Sequence, residues 1–100
     1  MLILQVTYKL HPRVSSDEYL FEIEENHIIE ESRRETGNVM YDFYLPTDGA
    51  HTTVVLVGVW TDEAALAEHK ASVHYSKLTD IKNKIVRQTE VRWIASEIKV

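Results

Sequence analysis

Cysteine is absent from the 100 residues, which removes disulfides, thiolate metal sites and a thiol nucleophile at once. That absence fits a reducing compartment, and the expected location is the cytoplasm. Glycine is scarce: three scattered residues build no phosphate-cradling loop, so a Rossmann-type flavin or nicotinamide site is excluded. Only Pro12 and Pro46 interrupt the chain, and no linker, repeat or low-complexity run divides it. A single domain over residues 1–100 is therefore expected. No stretch is long and apolar enough to span a bilayer, and MLILQVTYKL is too short and too regularly alternating to be a signal peptide. Basic clusters are missing too. With a formal charge of −5 and mixed signs along the chain, nucleic acid and anionic membranes are poor partners.

What is present is a regular alternation of strand and helix patterns. Leu2, Leu4, Val6, Tyr8 and Leu10 fall on one side of a strand, with Gln5, Thr7 and Lys9 on the other, until Pro12 stops it. Ser15 to Glu18 has the spacing of a capping box, with Val14 and Tyr19 as its hydrophobic staple. One long helix is expected over roughly 15–36, with Leu20, Ile23 and His27 along its apolar side. Gly37 suits the left-handed residue just past its end.

Val39, Tyr41, Phe43 and Leu45 alternate as a second strand, and Pro46-Thr47-Asp48-Gly49 reads as a turn. The third strand, Thr52 to Trp60, is apolar on both sides and is expected at the centre of a sheet. Thr61 is placed to cap the next helix. Ser72 caps another after a bend near Lys70-Ala71, and His74, Leu78, Ile81 and Ile85 share its face. A last strand runs from about Thr89 to Ile98, with Val91, Trp93 and Ala95 on one side and Ile94 and Ile98 on the other.

This order is the α+β, ferredoxin-like βαββαβ arrangement: a four-stranded antiparallel sheet with helices on one face. Helices cover one side only, yet the third strand is apolar on both. A homodimer packed through the uncovered sheet face is the simplest way to bury the other side.

The chain resembles the antibiotic biosynthesis monooxygenase family over nearly its whole length. The specific likeness lies in Ser32-Arg33-Arg34-Glu35-Thr36-Gly37-Asn38-Val39-Met40-Tyr41, in Val59-Trp60-Thr61-Asp62-Glu63-Ala64-Ala65-Leu66-Ala67-Glu68-His69, and in Ser72-Val73-His74. Family members show Glu and Gly at a helix end, Tyr in the next strand, a strand ending in Trp, and two His around a helix bend. Here these are Glu35, Gly37, Tyr41, Trp60, His69 and His74. Two positions depart from the pattern. Gly58 stands where many relatives have glutamate, leaving space beside Trp60, and Thr36 stands where a proline is common.

The resemblance implies a dimeric α+β barrel and several chemistries: cofactor-free oxidation of quinols or polycyclic phenols by O2, haem degradation, or isomerisation of small signalling sugars. The haem-degrading branch uses a tryptophan where this chain has His69, so haem is not expected. The expected function is a cofactor-independent monooxygenase acting on a small quinol or polyphenolic aromatic. His74 is the preferred base and His69 a second polar group, with Trp60, Tyr41 and Tyr75 as substrate-binding walls. Imidazole suits the task because its unperturbed proton affinity lies near neutrality.

Blander assignments stand beside these. His74 equally reads as a core histidine satisfied by one hydrogen bond, His69 as a helix-capping group favoured by the dipole, and Trp60 and Tyr41 as packing. No metal is expected, because His69 and His74 are five apart across a bend with no HExxH spacing and no evident third ligand. The alternatives are an isomerase of a small hydroxy-ketone and a non-catalytic dimer that binds a small ligand.

Overall fold

The computed structural model describes residues 1–95. The strands are β1 (Leu2–Leu10), β2 (Asn38–Tyr44), β3 (Thr53–Trp60) and β4 (Val86–Ala95). Helices α1 (Ser16–Glu25) and α2 (Ile28–Arg33) follow β1, and α3 (Glu63–Lys70) and α4 (Val73–Ile85) follow β3. The strands form one antiparallel sheet in the order β2-β3-β1-β4, the ferredoxin-like α+β topology. The sheet is open, with β2 and β4 as its edges.

Register decides which residues share a face. Leu4 pairs with Gly58 and Trp93, Val6 with Leu56 and Val91, and Tyr8 with Val54 and Thr89. Tyr41 stands beside Gly58, and Phe43 beside Leu56. These residues line the side roofed by Tyr19, Ile23, Ile28, Leu66, Leu78 and Ile81. Aromatic edges do much of the packing: Tyr8, Tyr19, Phe43, Tyr41 and Trp60 form a chain of rings with centroids 5.5–6.4 Å apart. Ile3, Val55, Val57 and Val59 belong to the opposite, uncovered side, together with Gln5, Thr7, Lys9 and Asp42.

Several local expectations are corrected. The single helix over 15–36 is broken: Asn26 caps α1, and His27 takes a left-handed conformation (φ 55°) before α2 begins. Asn26 Nδ2 donates to the Glu22 carbonyl at 2.9 Å, closing the first helix from its own side chain. His27 is consequently exposed rather than on an apolar face. The Ser15 cap stands, accepting from the Glu18 amide at 3.3 Å.

Gly37 does not have positive φ. Its hydrogen matters because a Cβ there would collide with the Ala65 side chain, so Gly37 lets α3 approach the start of β2. Asp62, not Thr61, caps α3, accepting from the Ala65 amide at 2.8 Å. β4 begins at Val86, directly after α4, rather than near Thr89. Between Ile3 and Leu4 the β1–β4 register slips, so Trp93 pairs with Leu4 but Ala95 pairs with Ile3. Strict alternation therefore fails at Ile94, and Ile98 lies outside the described residues.

Candidate functional site

Three segments converge at one end of the covered face. Glu35 sits just past α2, in a stretch held by several bonds. Its amide donates to the Ser32 carbonyl, the Asn38 amide donates back to the Glu35 carbonyl, and the Thr61 amide donates to the Gly37 carbonyl. Asn38 Nδ2 also donates to the Met40 and Val59 carbonyls, fixing the slip where β2 joins β3. Arg33 anchors the other flank, donating to the Tyr41 carbonyl and pairing with Asp42.

His69 is in the last turn of α3 and His74 in the first turn of α4. The bend between them is set by Ser72, whose hydroxyl donates to the His69 carbonyl at 2.6 Å and accepts from the Tyr75 amide at 3.1 Å. This polar hinge turns both imidazoles toward the same carboxylate. Glu35 Oε2 lies 2.6 Å from His69 Nδ1 and 2.5 Å from His74 Nε2, while Trp60 Nε1 donates to Oε1 at 3.2 Å. Three ring N–H groups thus converge on one part-buried carboxylate.

The electrostatics follow from that arrangement. Burial alone would raise the Glu35 pKa, but hydrogen bonds from His69, His74 and Trp60 outweigh it and hold the carboxyl below its ordinary range. His69 is 3% exposed. Desolvation lowers its pKa, an effect Glu35 opposes without reversing, so the ring is neutral at pH 7. A neutral ring that donates its Nδ1–H to Glu35 in a hydrogen bond keeps Nε2 as a lone-pair acceptor.

A cavity of about 120 Å³ adjoins this cluster. It runs between sheet and helices, lined by Leu4, Val6, Tyr8, Leu56, Gly58 and Trp60 from the strands and by Leu66, His69, Tyr75 and Leu78 from the helices. Tyr41, Lys70, Lys82, Thr89 and Val91 complete the wall. An apolar cavity of roughly 150 Å³ accommodates benzene, so this one has room for about one aromatic ring. Trp60 packs against His69 with centroids 4.8 Å apart, and Tyr75 meets the same imidazole edge-on at 5.2 Å.

The structure therefore brings His69, Trp60, Tyr41 and Tyr75 to one cavity. His74 is not on its wall: it stands behind Glu35, and its other side borders a surface groove with His27, Glu31 and Lys77. The Tyr41 ring lines the cavity, but its hydroxyl is sealed within protein. Burial raises that phenol above its normal pKa. Ser32 opposes the rise, although neither hydroxyl makes a hydrogen bond of ordinary geometry. Nor does Gly58 leave an opening. The Trp60 indole lies across it, where a Cβ would overlap the ring carbons.

Glu35 is the group that sequence reasoning passed over as a site residue. Its signal was its place in the Glu-x-Gly helix end, but nothing in the spacing showed that it would meet two histidines more than thirty residues away. It also supplies the third donor that a metal site lacked, since the three groups lie within 4.8 Å of one another. The contacts are nevertheless those of hydrogen bonds. Ligands on a tetrahedral ion with bonds of roughly 2.0–2.1 Å stand more than about 3 Å apart, so an ion between these atoms requires the Glu35 carboxylate or both imidazoles to shift.

A family model described as antibiotic biosynthesis monooxygenase matches residues 1–80. YcnE of Bacillus subtilis (strain 168), whose name marks its monooxygenase activity as provisional, is 33% identical over 75 residues, 75% of each chain. Among solved structures, a Pseudomonas aeruginosa protein superposes with a TM-score of 0.82 at 20% identity, covering 97% of this chain and 94% of its own. A Mycobacterium tuberculosis protein gives 0.81 at 22% identity, covering 98% and 96%. These two likenesses speak to the fold.

Proposed function

The chain belongs to the antibiotic biosynthesis monooxygenase family, and on that footing we propose that it oxidises a single-ring phenol or quinol with O2, using the substrate's own electrons. The observation that carries this reading is the Glu35–His69 pair beside an aromatic-lined cavity. Glu35 fixes the tautomer of His69, as the carboxylate of a catalytic triad fixes its histidine, and leaves Nε2 to take a phenolic proton. The phenolate then gives one electron to O2. Superoxide and the ring radical recombine to form a carbon–oxygen bond, and the hydroperoxide loses water to leave a carbonyl. For a quinol the balance is quinol plus O2 to hydroxyquinone plus water. His69 returns its proton to the peroxide anion, and the ring C–H proton leaves with the departing hydroxide as water. Trp60 and Tyr75 hold the ring and exclude water, and His74 acts on Glu35 rather than on substrate.

The test is oxygen uptake with a panel of monocyclic quinols, beside the same panel under argon. Wild type should consume O2 with quinone appearing, and His69→Ala should lose about 10²–10⁴-fold in rate. Turnover that persists in His69→Ala, or that proceeds under argon, overturns the assignment.

The same reading includes a homodimer formed through the uncovered sheet face, where β3 presents the part-buried Val55 and Val57 beside Ile3 of β1. Light scattering should give twice the chain mass at micromolar concentration, and Val57→Lys should shift it to one. A monodisperse monomer of the wild-type protein contradicts this part.

A further inference from the structure

The cavity has two ends, and a lysine stands at the second. Along β1 it runs from Leu4, level with Gly58, to Tyr8. His69 closes the first end. At the other, Lys82 reaches back from α4 so that Nζ lies 5.5 Å from the centre of the Tyr8 ring. Among the described residues neither Lys82 nor Lys70, the other lysine of the wall, takes part in an ion pair. The chain carries an excess of acidic residues, so an unpaired lysine inside an apolar cavity is not for want of carboxylates. Lys82 is half-buried, and that burial lowers its pKa from the ordinary lysine value.

We infer that this cavity selects an aromatic substrate bearing a carboxylate on a short side chain, with Lys82 as the group that receives the carboxylate. The inference rests on the reading above for the position of the ring, next to His69. The spacing supports it: Tyr75, which packs on His69, and Lys82 are seven residues apart on α4, a rise of about 10 Å. A single ring at the imidazole fills the enclosed volume, a chain of one or two carbons continues toward the half-buried Lys82, and the flexible lysine stem closes the rest. A purely structural Lys82, lying over Tyr8 as a cation–π contact, would show no preference for an anion.

The experiment compares a hydroquinone carrying an acetic acid side chain with its methyl ester, by calorimetry under argon so that no oxidation intervenes. The acid should bind about ten- to a hundredfold more tightly, the range of a charge-assisted hydrogen bond. Lys82→Met should bring the ratio to about one, and Lys82→Arg should restore it. Equal affinities in the wild type, no binding of either compound at millimolar concentration, or a ratio that survives Lys82→Met overturns the inference. Oxygen uptake is read separately. Selective binding without turnover sinks the oxidation reading and spares the carboxylate site, whereas equal turnover of acid and ester does the reverse.

Discussion

Each of the two helical connections is broken once, and the two breaks are built differently. Between α1 and α2 the chain turns at His27, a residue with a side chain forced into the left-handed region, exposed and without a side-chain cap for the helix it begins. Between α3 and α4 every backbone angle at the joint is ordinary, and Ser72 ties the two helices with one bond in each direction. The first break changes the direction of a helix that ends at Arg33, beyond which Glu35 is held by a separate set of bonds. The second aims two imidazoles itself. Where the joint positions chemistry, its geometry is over-determined; where it only redirects a surface helix, strain of about 1–2 kcal/mol is tolerated.

The largest effect is expected where the two connections meet. Glu35→Gln keeps the shape but removes the charge that holds the His69 tautomer, so kcat should fall at least about tenfold with KM little changed. The same substitution should flatten the acid limb of stability. The folded pKa of Glu35 is lowered, so its contribution is full above the ordinary carboxylate range and is lost as pH falls through the folded value. His69, also lowered, has the same sign: its contribution holds above pH 6.5 and is lost as pH falls below that value toward the folded one. Urea midpoints from pH 7 to 3 should thus decline in the wild type, with the lower part of the decline missing in Glu35→Gln. An unchanged acid limb would mean that the carboxylate contributes nothing as a charge.

Next comes the Ser72 joint. Ser72→Ala should cost about 1 kcal/mol as a lost N-cap, a fall in Tm of about 4–8 °C. Because the joint also aims His69, kcat should drop by more than a mere stability change explains at a temperature where the variant is fully folded. Full activity there would reduce Ser72 to an ordinary cap. The smallest effect belongs to the first break: His27→Gly should raise stability by up to about 1 kcal/mol in urea titrations and leave turnover unchanged. A destabilised His27→Gly would show that the exposed imidazole, near Glu30, does more than occupy a strained position.

How legible these two joints were in the sequence differs for the same physical reason. Ser72 announces itself, because a hydroxyl followed by a helical pattern is a local capping signal, and the structure has it there. His27 gives a weaker sign: Asn26 before it is a poor helix former, but one such residue does not stop a helix, and Ile23 and Ile28, five apart, join one buried core on either side of the turn. The fold was readable because alternation and helical spacing are local, as β1 and α4 demonstrate. Trp60, Tyr41, Tyr75 and His69 were named through the family resemblance, while local pattern alone left Trp60 and Tyr41 as packing and His69 as a helix cap; the four side chains line one cavity. Glu35 was not legible as a site residue, and neither was the position of His74 behind it. A contact between residues 35 and 74 depends on how two helical hairpins dock, and no local pattern encodes that.

The indole lying flat on Gly58 has a consequence for how such a protein can diverge. Positions 58 and 60 act as one unit: a single methyl at 58 would lift the ring, and with it the N–H that reaches Glu35. Any relative with a side chain at position 58 must therefore seat its tryptophan differently and orient the carboxylate by other means. A swap of either residue alone between such a relative and this chain should yield neither parent's pocket.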